Sequence, residues 1–145
     1  LAEQMAAEHL PAWVEVLDGG TGGFHLMGPM QQCPRIVIVD ATLDGRPAGT
    51  IQLRRPRFAS DFPRAMSTHD IGLKDMVSAL QLLDRMPDIH LFVVSIESVQ
   101  QQGIELTPEV EQQVPALCEK IIGLIDSLAC TEAPELNPAT ILSQA

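Results

Sequence analysis

The pattern of apolar and polar positions along this chain predicts several short β-strands. Residues 36–39 are four consecutive β-branched residues, apolar on both faces of a strand, which is typical of a central strand covered by helices on each side. Residues 13–17 and 89–96 also have the composition of strands. Residues 49–54 alternate between apolar and polar, which predicts a strand with one solvated face at the edge of the sheet.

Apolar residues at helical spacing flank these strands. They predict helices over residues 1–10, 24–32 and 71–86, and a last helix that begins at Pro108 and kinks at Pro115. The elements alternate as helix, strand, helix, strand, strand, helix, strand, helix. This order predicts an α/β fold, a three-layer αβα sandwich around a mainly parallel, twisted sheet with one antiparallel edge strand.

The chain of 145 residues is long enough for one α/β domain, which we place at residues 1–130. Pro134, Pro138 and the scarcity of paired apolar positions predict a loosely ordered tail over residues 131–145. Hydrophobic residues make up 46% of the chain and aromatic residues only 3%, so aliphatic side chains must build the core. That mixture is expected when buried strands pack between helices.

The formal charge of -10 disfavours a nucleic-acid partner, because phosphate binding needs a surplus of Lys and Arg. No apolar run approaches the ~20 residues of a membrane span, and this sequence does not open with a secretory signal pattern. Cys33, Cys118 and Cys130 are odd in number and far apart, which favours reduced, buried cysteines. We expect a cytoplasmic monomer that binds neither nucleic acid nor a membrane.

Basic residues are concentrated in one part of the chain. They either protect the edge strand over residues 49–54 from pairing with another sheet or dock an acidic surface of a partner, and the sequence leaves both interpretations open. Six of the nine basic residues belong to this group: Arg35, Arg46, Arg54, Arg55, Arg57 and Arg64.

Two carboxylates come at the ends of predicted strands. Asp18 follows the strand over residues 13–17, and Asp40 follows the run over residues 36–39. In an open parallel sheet, ligands bind in the crevice outside the carboxyl ends of the strands, so the two acids point to one site. His69, directly ahead of the next predicted helix, is the expected third member of that site.

The turn after the first strand is rich in glycine and reads DGGTGG over residues 18–23. Glycine permits unusual backbone angles and the close approach of another backbone. A glycine turn between a strand and a helix can cradle phosphate, but this one lacks both the GxGxxG order and the GK ending followed by Ser or Thr. A nucleotide-binding protein remains an alternative, which thermal stabilisation by ATP or NAD would reveal.

Asp40 and His69 offer an oxygen and an imidazole ligand that could share a divalent first-row ion such as Zn, Ni or Co. Two ligands are too few, since a catalytic zinc-type site takes three from the protein and keeps one position open. Asp18 and Glu97 are the nearest candidates in strand order for a further ligand or an acid/base group.

At these residues the sequence resembles the hydrogenase maturation endopeptidase family, which trims a C-terminal extension from the large subunit of nickel-iron hydrogenases. The resemblance implies a three-layer α/β fold and a site in which Asp40 and His69 are metal ligands and catalytic groups. It also implies that Asp18, Gly19, Gly20 and Thr21 contact the substrate. The matching stretches run in family order and cover most of the chain: residues 18–23, 39–41, 67–69 with 72–73, and 106–111.

The resemblance implies an endopeptidase whose partner is the nickel-loaded large-subunit precursor of a nickel-iron hydrogenase. Nickel is then recognised in the substrate, and zinc or cadmium could take its place in a crystal. The family pattern opens with a strand and an acidic loop that supplies a first metal ligand, and we expect this opening to be encoded before Leu1. The alternative is a non-catalytic paralogue or shortened form that docks the precursor without cleaving it.

Overall fold

The structure is a computed structural model that describes residues 5, 10–20, 24–62, 73–98, 106–131 and 139–143. Its strands form one five-stranded sheet: β1 (Val14–Asp18), β2 (Arg35–Thr42), β3 (Ile51–Arg54), β4 (Asp88–Ser95) and β5 (Ala139–Ser143). Their order across the sheet is β1-β5-β2-β4-β3. β3 is antiparallel to β4, and the other neighbouring pairs are parallel. The predicted α/β fold with one antiparallel edge strand is confirmed.

The helices that flank the sheet are α1 (Met27–Gln32), α2 (Leu73–Leu82), α3 (Pro108–Glu111) and α4 (Val114–Thr131). The last predicted helix is therefore two helices, with Pro115 in the first turn of the second. Proline is tolerated there because it lacks only an N–H that has no intrahelical partner. No helix in the described part of the chain is long and apolar enough to cross a membrane.

Alternate residues of the central strands face two separate cores. Ile36 and Ile38 of β2 belong to the core with α1 and α2, whereas Val37 and Val39 belong to the core with α4. All four side chains are at most 1% exposed, and each buried aliphatic side chain of this size contributes about 1.5–3 kcal/mol. Burial on both faces confirms the interpretation of residues 36–39 as a central strand.

Two of the three cysteines lie in the cores. Cys33 is buried in the core with α1 and α2, and Cys118 is buried in the core with α4. Neither of these two cysteines forms a disulfide bond, as the spacing of the cysteines in the sequence predicts. The side chain of Cys130 lies outside the described part of the chain.

The prediction of a loosely ordered tail over residues 131–145 is wrong for Ala139–Ser143. This segment is β5, which lies between β1 and β2 and pairs with both. Thr140 and Ile141 are each 1% exposed, and the Thr140 hydroxyl lies 2.9 Å from Cys33 Sγ. Five residues with two large apolar side chains are too short a pattern to distinguish a strand from an irregular tail. The segment is a strand because it pairs with both β1 and β2.

The chain enters β3 through a bulge at Gly49. The Gly49 N–H donates to the Ser95 carbonyl at 2.8 Å, while the Ser95 N–H donates to the Thr50 carbonyl at 2.9 Å, so two residues face one. Gly49 has φ +83°, and a Cβ there would lie 2.8 Å from the carbonyl oxygen of Glu109. Glycine is required at this position both by the backbone angle and by the close approach of α3.

Candidate functional site

Asp40 lies near the carboxyl end of β2, close to the middle of the sheet. It is 2% exposed, and the alternation along β2 places it on the face covered by α1 and α2. Burial raises the pKa of its carboxyl from 3.8 to about 7, although the Ala41 N–H donates to Oδ1 at 2.7 Å and opposes this effect. A carboxyl group that titrates near neutral pH can both take up and release a proton during a reaction.

Two buried hydroxyl groups lie beyond Asp40, toward the carboxyl ends of β2 and β4. Thr42 lies two residues beyond Asp40 on the same face of β2, and Ser95 is its register partner on β4. Their relative exposures are 1% and 0%. The Thr42 hydroxyl has no hydrogen-bond partner among the described residues, whereas the Ser95 hydroxyl lies toward the Asp44 carboxylate, which accepts from it. Buried polar groups normally have partners, so the Thr42 hydroxyl marks a place where substrate or water can bond.

Sequence reasoning missed both hydroxyl residues. Thr42 could have been found, because counting two residues on from Asp40 reaches the same face of a strand. Ser95 gives a weaker signal, since its position opposite Thr42 depends on the register between β2 and β4. We refer to Asp40, Thr42 and Ser95 together as the polar end of the sheet.

An open depression of about 480 Å³ lies at the same edge of the sheet, where the chain leaves β2 and β4. Glu97, a candidate ligand from the sequence, is exposed on its wall and follows β4 by two residues. Arg46 also lines the depression and forms an ion pair with Asp44 at 3.6 Å. The lining consists of Leu43, Gly45, Arg46, Pro47, Ile96 and Glu97.

Asp18 lies at this edge too, but two strands away from Asp40. Ser143 of β5 pairs with both Asp18 and Val39, so Asp18 shares a row with the residue before Asp40. Because neighbouring strands are about 4.8 Å apart, these rows place the two acidic main chains roughly 10 Å apart. The same register directs Asp18 to the opposite face of the sheet from Asp40. The structure brings the two acids to one edge without bringing their carboxylates together.

The glycine turn begins inside the described region. Asp18 Oδ1 accepts the Gly20 N–H at 2.9 Å, which stabilises the start of the turn. Gly19 is buried, and Gly20 has φ +53° with open space beside its Cα. Thr21 lies outside the described residues, so its predicted contact with substrate stays a prediction.

His69 also lies outside the described residues, and its role as a ligand stays a prediction. Of the other histidines that the structure describes, His25 is exposed and His90 is buried on the opposite face of the sheet from Asp40. Burial lowers the pKa of the His90 imidazole, and the nearby Asp88 carboxylate opposes this change. Within the described ranges, no group of three or more His, Cys, Asp or Glu side chains is arranged to hold a metal ion.

Comparison with known proteins identifies the family. The sequence model of the hydrogenase maturation proteases matches residues 1–124 of this chain. The chain belongs to the hydrogenase maturation protease family. The matched range includes Asp18, Asp40 and the stretch at residues 106–111, all of which the sequence resemblance uses.

Individual members of the hydrogenase maturation protease family are similar over most of this chain. The hydrogenase 2 maturation protease of Escherichia coli (strain K12) is 34% identical over 118 residues, which cover 80% of this chain and 72% of that protein. The hydrogenase expression/formation protein HupD of Bradyrhizobium diazoefficiens is 33% identical over 111 residues, which cover 72% of this chain but 56% of HupD. The chain therefore spans about half to three quarters of the length of these relatives.

Solved structures of hydrogenase maturation proteases have the same fold. The hydrogenase maturating endopeptidase HybD from E. coli matches with a TM-score of 0.77 and 30% identity, covering 88% of this chain and 81% of HybD. HybD from Thermococcus kodakarensis matches with a TM-score of 0.60 and 27% identity, covering 75% and 77% of the two chains. These likenesses support the α/β architecture on which the polar end of the sheet is built.

Proposed function

We propose that this hydrogenase maturation protease is an endopeptidase that removes a C-terminal extension from the nickel-loaded large-subunit precursor of a nickel-iron hydrogenase. The family match over residues 1–124 is the observation that carries the proposal. The names of two E. coli proteins that the chain resembles, a maturation protease and a maturating endopeptidase, agree with it. The buried carboxyl of Asp40 gives such an activity a chemical centre.

A divalent ion fits the chemistry of Asp40. A buried carboxyl whose pKa is about 7 gains from a cation that replaces its proton, and carboxylate oxygens and imidazoles both bind first-row metals. In our proposal this ion is the nickel of the precursor, and Asp40 and His69 are the residues that meet it. A metal ion at such a position polarises a carbonyl group or activates water.

The rest of the site holds the substrate backbone. The hydroxyl of Thr42 is buried on the same face of β2 as Asp40 and has hydrogen-bonding capacity left, which suits it to a peptide group or an attacking water. Gly20 has open space where a side chain would begin, so a substrate strand can approach the turn after Asp18 closely. Glycine at this turn serves substrate access in this proposal.

The experiment compares His69→Ala with His25→Ala in the cleavage of a nickel-loaded precursor. His25 is exposed and comes two residues after the glycine turn, so His25→Ala controls for the loss of an imidazole outside the site. We expect His69→Ala to abolish cleavage and to keep the wild-type circular dichroism spectrum, and His25→Ala to cleave normally. Cleavage at the wild-type rate by His69→Ala would remove His69 from the site.

The same assay separates a protease from a docking protein. If the wild-type chain forms a stable complex with the nickel-loaded precursor and yields no shortened product, the protein is a binding paralogue and the proposed activity is wrong. A shortened product that forms only with the nickel-loaded precursor, and not with the nickel-free one, supports recognition of nickel in the substrate.

A further inference from the structure

The outer edge of β3 has main-chain groups available for pairing. β3 pairs with β4 on one side, and no described segment pairs with its other side. The Thr50 carbonyl accepts the Ser95 N–H, and hydrogen-bonded and non-hydrogen-bonded pairs alternate along an antiparallel ladder. The main-chain groups of Ile51 and Leu53 therefore point away from β4. Such an edge can accept an extended peptide as an additional strand.

This edge has more basic than acidic residues, in a protein that is acidic as a whole. Residues 44–61 contain four arginines and two aspartates, whereas the net charge of the whole chain is -10. Arg55 is paired with Asp88, since its Nη2 lies 2.7 Å from each carboxylate oxygen. Arg54 instead donates to the neutral amide oxygen of Gln52 at 3.1 Å, and Arg57 is exposed, with the Asp61 carboxylate nearby. Arg54 and Arg57 are thus the cations best placed to meet an acidic partner.

Apolar side chains are exposed beside these arginines. Leu53 is 48% exposed and Phe58 is 61% exposed, so the edge offers apolar contact as well as charge. A second copy of the same edge would bring arginines against arginines, and like charges across a strand pair are destabilising. Charge complementarity therefore selects an acidic, extended segment of another protein as the occupant.

We propose that the outer edge of β3 docks an acidic, extended segment of the hydrogenase precursor by strand addition, with Arg54 and Arg57 as its charged anchors. This inference rests on the proposed function, because it takes the precursor as the partner. Of the two interpretations of the basic residues, protection of the edge strand and docking of an acidic partner, our proposal adopts docking.

The edge is close enough to the polar end of the sheet to guide a substrate there. Gln52 of β3 pairs with Val93 of β4, and Val93 pairs with Asp40 of β2, so the three residues share one row. With strands about 4.8 Å apart, a segment added outside β3 lies roughly 15 Å from Asp40. About five extended residues span that distance. Docking at β3 therefore holds the precursor within a short reach of the site.

The test measures the steady-state cleavage of a nickel-loaded precursor by Arg54→Glu and Arg57→Glu. The matched control is Lys120→Glu, which makes the same change in charge at an exposed position of α4. We expect each arginine variant to raise KM about fivefold or more and to leave kcat within about twofold of wild type, because a charge at a docking surface acts on association. Lys120→Glu should change neither constant.

Leu53→Pro tests the strand addition itself, since proline removes an N–H that points away from β4. We expect a higher KM and an unchanged kcat, with folding checked by circular dichroism. The inference would be overturned if wild type, both arginine variants and Lys120→Glu had equal KM values. Cleavage by the wild type would still support the proposed function in that case. Self-association of the wild type that Leu53→Pro abolishes would assign the edge to a second copy and overturn the inference as well.

Discussion

Replacing Asp40 with Asn should change how the stability of the protein depends on pH. The Asp40 carboxyl is 2% exposed and its pKa is raised from 3.8 to about 7 by burial. In the folded protein it keeps its proton up to about pH 7, whereas in the unfolded chain it loses the proton near pH 4. Between these values the folded state holds more protons, so the free energy of unfolding falls as pH rises.

The difference between 3.8 and about 7, at about 1.4 kcal/mol for each pH unit, corresponds to about 4 kcal/mol of stability. This contribution is present below about pH 4 and is lost by the time the pH has passed 7. Asp40→Asn removes the titrating group, so the variant should gain stability relative to wild type across that range. A cost of the amide that does not depend on pH shifts the difference in unfolding free energy between the two proteins equally at every pH. The pH dependence of that difference therefore reports the carboxyl group alone.

The assay is urea unfolding of wild type and Asp40→Asn between pH 4 and pH 8.5, with a chelator present to remove divalent ions. Asp126→Asn, at an exposed position of α4, is the matched control and should track the wild type at every pH. A difference between wild type and Asp40→Asn that stays constant within about 0.5 kcal/mol from pH 4 to pH 8 would refute the reasoning.

Three further outcomes follow from the structure. Gly49→Ala should cost about 1–3 kcal/mol in urea unfolding, through backbone strain and overlap with α3, and more than Gly45→Ala, where φ is also positive but the space is open. Equal losses of unfolding free energy in the two variants would show that overlap with α3 does not contribute. Ile141→Ala should lower the free energy of unfolding by about 2–4 kcal/mol, whereas Leu82→Ala, at an exposed position, should change it very little. A change near zero for Ile141→Ala would contradict the burial of Ile141 in β5. The kcat/KM for cleavage should rise with pH through about 7, because it reports the free protein, in which Asp40 must lose its proton before it can bind the nickel of the precursor; a kcat/KM that falls over this range would exclude the carboxylate as the form that binds.

The layers of the fold could be predicted from the sequence because their signals are local. Residues 36–39 carry side chains that must be buried on both sides, and β3 shows the alternation of an edge strand. Each of these patterns is contained in a few neighbouring residues. The place of Ala139–Ser143 was not predictable in this way, since a short strand between β1 and β2 is specified by partners more than a hundred residues away.

The candidate site was predictable in part for the same reason. A carboxylate at the end of a buried strand identifies Asp40 from sequence, but its burial and raised pKa depend on the helices packed over it. The sequence also pairs Asp18 with Asp40, because both end strands, and only the register shows that they face opposite sides of the sheet. His69 remains a prediction from the sequence and its resemblance.

The most direct test of the account is the rate at which Asp40→Asn cleaves a nickel-loaded hydrogenase precursor. The substitution preserves the shape of the side chain and removes its charge, so the protein should stay folded and the cleavage should stop. Asp126→Asn should cleave at the wild-type rate. If folded Asp40→Asn also cleaves at the wild-type rate, then the buried carboxyl at the end of β2 is not the chemical centre of this protease.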